Sequence, residues 1–519
     1  MTSSQTGLQP AARHPAGLQP GARHPAGLQP GASRPFEAPA KGRRILPASV
    51  AAVFVLLLFF FLPAPAWATS VVDDDEWVID IDGVLKASGT AMHLYWPWPM
   101  VVGPSGVGAL GWSSRDAMFG AGEARLKFTG RWQDDRLKWD VQAKAGFFLF
   151  SEPNMVSAFS GGASSTAEPP RSLPLQYTDA AAERRIGTTV VDRLFFQTRL
   201  GPVDLLVGRQ PVSFGVGFIW QPADLLAPFS PLDIDKEFKP GVDAVRLNFN
   251  LGAFTELALV GVAGAPSCLH VSIPTAADPM APSEWRTPAG KSCSPGEPRF
   301  DRDASSLAAR FRTTVGEFDL GAIAGWVRGD WVVGAFTAGT LGRWKLRSEA
   351  TFTWDMEAGE PGSADYSFRD RYVRAVAGVD YSFDFTRALH VFSELHFNGF
   401  GTRNPDEYAL ILQSARVAQF AEISSTGQYY FGSGLVWELT EKLKGSALGM
   451  VNLTDPSAHL SCSLEILLSA ESVLQIGGFV PIGRRPELVV SGGIPTGAAF
   501  HSEFGMYPSM IFVLFKRYY

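Results

Sequence analysis

Charged side chains at every second position of the stretch RWKLRSEATFTWDM, residues 343–356, offer the most evident chemistry in this sequence. The odd positions include Arg343, Lys345 and Arg347, whereas the even positions are mostly apolar and include Trp344 and Trp354. Side chains of a β-strand alternate between its two faces, so this stretch predicts one polar, mostly charged face and one apolar face. Fixed charges along a water-filled passage can select ions. A strand of a soluble sandwich also alternates, so the interpretation depends on how often the pattern recurs.

The charged faces of such stretches carry more Lys and Arg than Asp and Glu, although the whole chain has a formal net charge of −6. If these faces line a channel, we expect the channel to favour anions. The basic residues that we predict to line it are Arg125, Lys127, Arg131, Arg310, Arg343, Lys345 and Arg347.

Residues that could carry catalysis or bind a metal form no recognisable motif. The sequence contains no phosphate-binding GxxxxGK[ST], no HExxH, no GxSxG and no CxxC. His390, Glu394 and His396 share one face of a strand-like stretch and could form a catalytic or metal-binding trio, but polar channel linings are expected anyway. We therefore predict no catalytic residue, no enzymatic activity, no metal and no cofactor.

The cysteines fit an exported protein. Cys268 and Cys293 lie in a segment rich in Pro, Ser and Gly, where they could close a surface loop as a disulfide in an oxidising compartment. Cys462 shares a strand face with Leu460 and Leu464, which favours the role of a small apolar residue over that of a nucleophile.

The elements that would position the charged faces are long alternating strands. Stretches such as GEARLKFTGRW and LKWDVQAKAGFFL repeat the alternation along the chain, mostly over about 9 to 13 residues, which a tilted strand needs to cross the hydrocarbon layer. Sandwich strands are shorter, at about 5 to 6 residues. A closed barrel in lipid with a watery interior satisfies both faces and leaves no strand edge. The fold that we predict for residues 69–519 is all-β, a transmembrane antiparallel barrel of about 16 to 18 strands.

Residues 1–68 are predicted to be a disordered repeat followed by a signal peptide. The repeat GLQPAARHPA, GLQPGARHPA, GLQPGASRPF is too poor in large apolar residues to fold. It precedes KGRR, an apolar run from Ile45 to Leu62 and the small-x-small site Ala66-Trp67-Ala68, after which we expect cleavage. An uncleaved anchor helix is the alternative. Export and barrel together predict the outer membrane of a bacterium.

The stretch Gly208–Leu247 is the most distinctive part of the chain. It begins as a strand and continues as a link of about 25 residues, a length that is usually functional or disordered, and its apolar residues argue against disorder. One interpretation folds this link into the barrel, where its carboxylates face cations across a constriction. The other places it outside as a cap. The carboxylates concerned are Asp224, Asp233, Asp235 and Glu237.

The same stretch resembles a family. GRQ is followed by an aromatic-Gly-x-Gly, then W-x-P-x-D-L, then D-x-D, then KPGVDAVR. This run is similar to the signature of uncharacterised porin-like outer-membrane proteins of Gram-negative bacteria. The resemblance is sharp over roughly 40 residues and implies a β-barrel channel in the outer membrane, with little about the solute.

The function that we expect is passive diffusion of small hydrophilic solutes through a pore that excludes by width and selects by charge. The alternatives are an outer-membrane transporter of hydrophobic compounds, a barrel enzyme with a nucleophile and base in contact, and a non-conducting structural or adhesion barrel. The expected partners are outer-membrane lipid and small solutes or ions, with no nucleic acid. A homo-oligomer is left open.

Overall fold

The computed structural model describes residues 69–519 with some gaps. The predicted repeat, signal peptide and cleavage site therefore lie outside the described residues and stay predictions. No helix in the described part of the chain is long and apolar enough to cross a membrane. The gaps are residues 75, 96–99, 104–105, 110–114, 134–135, 152–168, 183, 267–268, 272–283, 287–291, 295, 357–366, 419–421, 424 and 492–493.

Within the described residues, a closed antiparallel barrel of 18 strands forms the body of the protein. Each strand pairs with the next one in sequence, and the first pairs with the last, with Lys86 opposite Lys516. The predicted barrel is confirmed, at the upper end of the expected strand number. The strands are β1 (Trp77–His93), β2 (Asp116–Trp132), β3 (Leu137–Phe150), β4 (Arg185–Leu200), β5 (Val203–Gln210), β6 (Val242–Asn250), β7 (Thr255–Val262), β8 (Ser306–Val315), β9 (Phe318–Val327), β10 (Asp330–Leu341), β11 (Trp344–Trp354), β12 (Arg371–Asp384), β13 (Ala388–Asn398), β14 (Tyr429–Thr440), β15 (Leu443–Asn452), β16 (Ser457–Ser469), β17 (Ser472–Ile482) and β18 (Ser509–Tyr518).

Shorter elements lie before β1 and in the links. Strand Thr69–Asp73 pairs with the first part of β1, and strand Gln176–Ala182 pairs with β4. Three two-stranded hairpins and a few short helices occupy other links. The hairpins join Met100–Gly103 to Gly106–Ala109, Leu269–Val271 to Glu284–Arg286, and Glu487–Ser491 to Ile494–Ala499; the helices are the 3-10 turns Arg302–Ala304, Pro405–Glu407 and Phe504–Met506, α1 (Tyr408–Gln413) and α2 (Ala415–Ala418).

The barrel wall is apolar outside and polar inside. On β11, Trp344 is 51% exposed and Trp354 is 42% exposed, whereas the intervening Glu349, Thr351 and Thr353 are buried. This distribution of apolar and polar side chains is the reverse of that in a water-soluble protein. The outward apolar face is stable only in contact with lipid, and the inward polar face only in contact with water or other polar groups. The alternation predicted from the sequence therefore produces a membrane-facing surface.

Aromatic residues concentrate near both ends of the barrel. At one end, Trp77 lies 5.8 Å from the ring centroids of both Trp132 and Trp139. At the other end, Trp331 and Trp354 stand opposite each other on β10 and β11. Two such girdles are typical of barrels whose ends meet the two membrane interfaces.

The links differ in length between the two ends. At the end that also holds both barrel termini, the turns are short, and Gly201, Gly316 and Gly342 adopt positive φ values that favour glycine. The other end, called the long-link end below, carries the segments 94–115, 151–184, 211–241, 263–305, 355–370, 399–428 and 483–508. In outer-membrane barrels, short turns face the periplasm and long loops face the exterior.

Cys462 on β16 is exposed on the outer face and carries a free thiol. Cys268 lies outside the described residues, so its disulfide with Cys293 stays a prediction.

Candidate functional site

The link between β5 and β6, residues 211–241 (the β5–β6 link), lies inside the barrel. Its backbone binds Glu349 of β11 and Glu394 of β13, and its side chains pair with Lys86 of β1 and Lys516 of β18. β11 stands almost opposite β1, because β2–β10 separate them on one side and β12–β18 on the other. The link therefore crosses the interior and is attached to both walls.

Two buried carboxylates hold the backbone of the link. Glu349 accepts hydrogen bonds from the amides of Val216, at 2.6 Å, and Ala223, at 3.1 Å. Glu394 accepts from three consecutive amides, those of Phe218, Ile219 at 2.9 Å and Trp220 at 3.2 Å. Five backbone amides thus converge on two buried carboxyl groups, so these two residues determine the path of this half of the link.

Glycine makes that path possible. A Cβ atom on Gly217 would lie 2.0 Å from the carbonyl oxygen of Trp220. No side chain fits there, because the chain doubles back tightly to aim its amides at Glu394. The aromatic-Gly-x-Gly part of the signature run thus has a local structural reason.

The second half of the link is fixed by ion pairs to the opposite wall. Lys86 Nζ lies 2.6 Å from Asp235 and 3.0 Å from Glu237, and Lys516 Nζ lies 2.9 and 3.1 Å from the same two carboxylates. Arg125 of β2 stacks on the ring of Phe238 at 4.1 Å. Burial opposes ionisation of both link carboxylates, but the two ammonium groups outweigh it and hold the pKa of Asp235 and the pKa of Glu237 below their ordinary values.

The other two predicted link carboxylates make bonds within the link. Asp224 pairs with Lys239, and burial raises the pKa of Asp224 despite that ammonium group. Asp233 accepts a hydrogen bond from the amide of Ser230 at 3.0 Å. These two residues shape the link, whereas Asp235 and Glu237 join it to the wall.

The predicted basic residues lie against the link, in ion pairs on the barrel wall, or near the short-turn end. Arg347 donates to the carbonyl of Val216 at 3.1 Å and stacks on Phe218 at 3.6 Å, and Arg310 lies over Phe214 at 5.8 Å. Arg125 pairs with Asp192 and Lys127 with Asp82. In contrast, Arg343 sits in the short β10–β11 turn and pairs with Asp384, and both Lys345 and Arg131 are exposed close to that end. The structure does not bring these last three to the link.

A positively charged patch lies on the inner face of β6–β8. Arg246 and Arg312 approach the same carboxylate, Glu256, at 3.9 and 3.8 Å. Arg310 stands two residues from Arg312 on β8 and contacts the rings of Phe214 and Phe336. Three guanidinium groups thus lie together beside Glu256, and Asp319 of β9 is a further acidic neighbour of Arg310. We call Arg246, Glu256, Arg310 and Arg312 the β6–β8 arginine cluster.

Two further links pack inside the long-link end. Glu422 of the 399–428 link pairs with Arg374 at 2.9 Å, Arg416 at 3.3 Å and Arg328 at 3.4 Å. Burial opposes ionisation of Glu422, but the three guanidinium groups hold its pKa below the ordinary value. Arg374 also donates to the carbonyl of Pro222, so it connects this link to the β5–β6 link.

The 483–508 link is anchored by a buried carboxyl group. Glu503 bonds to the hydroxyl of Tyr430, accepts from Asn452 Nδ2 at 2.8 Å and accepts from the amide of Thr426 at 3.2 Å. Burial raises the pKa of Glu503 to about 7. Polar groups from three links therefore meet at the long-link end of the interior.

Several wall residues that hold the β5–β6 link were not among the predicted site residues. Lys86, Glu349 and Lys516 occupy inward positions of alternating strands, which is the signal that could have found them. Glu394 belongs to the trio with His390 and His396. In the structure, His390 packs against Phe218 and His396 stacks on Trp220 at 5.2 Å, so all three members contact the link.

Comparisons with known proteins return matches of structure alone. No protein-family model matches the chain, and no curated protein does. Among solved structures, OccAB1 of Acinetobacter baumannii is 9% identical with a TM-score of 0.45, and covers 87% of this chain and 98% of its own. The outer-membrane protein opdK of Pseudomonas aeruginosa is 9% identical with a TM-score of 0.45. The match covers 85% of this chain and 98% of the opdK chain. A BenF-like porin of Pseudomonas fluorescens Pf-5 is 10% identical with a TM-score of 0.45. The match covers 85% of this chain and 98% of the porin chain.

Proposed function

We propose that this protein is an outer-membrane channel for passive diffusion of small hydrophilic solutes, narrowed by the β5–β6 link. The observation that carries the proposal is the inverted wall, apolar outside and charged inside, with a link fastened across the interior. An 18-stranded barrel encloses more space than its own wall side chains fill. Width at the link and charge at the wall would then decide which solutes pass.

The charge of the wall supports a preference for anions. The β6–β8 arginine cluster holds three guanidinium groups, those of Arg246, Arg310 and Arg312, near the carboxylates of Glu256 and Asp319. Asp235 and Glu237, the carboxylates that face the other wall, are already paired with Lys86 and Lys516. Within this cluster and its neighbour Asp319, three positive charges therefore face two negative ones, and the excess positive charge attracts anions and repels cations.

A closed, structural barrel is the second candidate, and a specific observation favours it. Three links, 211–241, 399–428 and 483–508, meet at the long-link end, where Phe400, Tyr408 and Ile411 are fully buried. The two candidates differ in conductance, since a filled barrel passes no ions.

Single-channel recording on residues 69–519 refolded into planar bilayers separates them. The channel proposal expects discrete conductance steps and a reversal potential that shifts toward the anion equilibrium value in a salt gradient. A refolded barrel that passes no current, alone or with Lys86 and Lys516 both changed to Gln, would favour the structural candidate.

A further inference from the structure

We propose that the outer face of β8–β12, at the long-link end, is a binding site for the phosphate groups of an anionic glycolipid of the outer leaflet. The proposal rests on the membrane location proposed above, and goes beyond the transport of solutes. It comes from a row of aromatic and arginine side chains on the lipid-facing surface.

The row follows directly from strand register. Trp326 of β9 stands opposite Trp331 of β10, Trp331 opposite Trp354 of β11, and Trp354 opposite Arg371 of β12. Residues directly opposite each other share a face, and Trp331 and Trp354 are exposed on the outer one. With about 4.8 Å between strands, the row extends over about 14 Å. We call it the tryptophan row.

An arginine lies over each end of the row. The guanidinium of Arg302, in the 3-10 turn before β8, lies 5.4 Å from the ring centroid of Trp326. The guanidinium of Arg371 lies 4.7 Å from the ring centroid of Trp354. Stacking on an aromatic face holds a guanidinium in place while its N–H groups stay available at the edge.

Among the described residues, these two arginines have no acidic partner. Both are exposed, and neither forms an ion pair with a described carboxylate, although Asp303 and Asp370 are their neighbours in sequence. By contrast, Arg343, which lies over Tyr381 at the opposite end of the barrel, pairs with Asp384. Arg343 is thus an arginine stacked on an aromatic ring that has a carboxylate partner, whereas Arg302 and Arg371 have none among the described residues.

A lipid-facing guanidinium without a carboxylate needs an anion, because the membrane interface supplies less water than bulk solution. Tryptophan rings sit at the headgroup level of a membrane, which places both guanidinium groups at the depth of lipid phosphates. Arg binds phosphate through two parallel hydrogen bonds. Two such groups at the two ends of an apolar row fit a lipid that carries more than one phosphate on a headgroup broad enough to cover several strands.

The test measures lipid retention on the full barrel in phosphatidylcholine nanodiscs that contain a minor fraction of bisphosphorylated lipid A or of its dephosphorylated form. Native mass spectrometry counts the bound glycolipid. We expect Arg302→Gln with Arg371→Gln to retain bisphosphorylated lipid about tenfold less well than the unchanged protein, equivalent to about 1.4 kcal/mol. Retention of the dephosphorylated form should be low and equal in both proteins.

Arg371→Lys serves as a second variant, since it keeps the charge but loses the planar stack, and it should retain an intermediate amount of lipid. Arg387→Gln, at the short-turn end where Arg387 pairs with Glu441, is the matched control and should bind like the unchanged protein. Resistance of the barrel to SDS before heating shows that each variant is folded.

Equal retention by the double variant and the unchanged protein would overturn the proposal. So would displacement of the lipid by millimolar inorganic phosphate, which would indicate a site for small anions. Conductance is recorded on the same preparations. A barrel that binds the lipid but passes no current would count against the channel and would support the lipid site. A barrel that passes current but does not bind the lipid would support the channel and count against the lipid site.

Discussion

Arg209 of β5 and Asp243 of β6 form a buried two-pronged ion pair at the point where the β5–β6 link leaves and re-enters the wall. Arg209 Nε lies 2.7 Å from Asp243 Oδ1, and Nη2 lies 3.0 Å from Oδ2. The two residues are direct register partners. Arg209 belongs to GRQ at the start of the signature run, and Asp243 belongs to KPGVDAVR at its end. Two further N–H groups of Arg209 donate to the carbonyls of Val191 and Leu173.

The first prediction concerns this ion pair. Asp243→Asn leaves the fully buried guanidinium of Arg209 without its counter-charge, which we expect to destabilise the barrel by about 3–5 kcal/mol. Urea unfolding in lipid vesicles, followed by tryptophan fluorescence, measures the change. Asp204→Asn is the matched control, because Asp204 of β5 pairs with the largely exposed Arg199 of β4. This substitution should lower the free energy of unfolding by at most about 1 kcal/mol. Equal losses in the two variants would contradict the role given to the buried pair.

The second prediction concerns the carboxylate that holds the first half of the link. Glu394→Gln replaces a charged acceptor of three amides by a neutral one, and its NH₂ group would face N–H donors. We expect a looser link, seen as faster proteolysis within 215–221 and as larger, noisier conductance. Glu438→Gln, at an exposed position near the short-turn end, should change neither quantity. A link that stays resistant in Glu394→Gln would show that Glu349 alone is sufficient.

The third prediction is a dependence of selectivity on pH. The pKa of Asp235 and that of Glu237 are lowered by Lys86 and Lys516, so their contribution to stability is complete above the ordinary carboxyl pKa of about 4 and is lost as pH falls through the lowered values. Below that pH, two ammonium groups become uncompensated. Reversal potentials should therefore show an anion preference that is stronger than at pH 7 and that grows as the pH is lowered below about 4.

A double variant controls this measurement. Asp235→Asn with Glu237→Gln should show the stronger anion preference already at pH 7 and change little on acidification. If unchanged protein and variant have the same pH profile, the ion pairs to the β1 and β18 wall do not influence permeation.

The fourth prediction concerns Glu503, whose pKa is raised to about 7. A carboxyl with a raised pKa in the folded state contributes stability that is complete below its unfolded value and is lost as pH rises through about 7. Hydrogen exchange of the amides of Thr426 and Gly427, which donate to Glu503, should therefore accelerate between pH 5 and pH 8 beyond the intrinsic effect of pH. Glu503→Gln should remove the excess. An unchanged excess in that variant would assign the dependence to another group.

The fifth prediction compares two predicted pore residues that the structure places differently. Arg310→Gln removes a charge from the β6–β8 arginine cluster and should reduce the anion preference measured by reversal potential. Arg343→Gln removes the same charge from an exposed turn, where it already pairs with Asp384, and should have a much smaller effect. Equal shifts would mean that charge at the mouth governs selectivity.

The sequence by itself determined the strands, the closed barrel and the polarity of the two faces. In the stretch 343–356 the reason is local, because side chains two residues apart share a face whatever the rest of the chain does. The signature run likewise marked the β5–β6 link as a folded segment, since its apolar residues and its glycines are features of the segment itself.

Only the tertiary structure decided which side chains meet across the barrel. Glu394 binds Ile219, which is 175 residues away in sequence, and Lys86 binds Asp235, which is 149 residues away. Alternation puts Arg343 and Arg347 on the same face and cannot tell a residue in an exposed turn from one that stacks on Phe218. The depth of a residue along the barrel, and the strand that stands opposite it, follow from closure and register of all the strands together. That is why the inward direction of these charges was readable from the sequence and their partners were not.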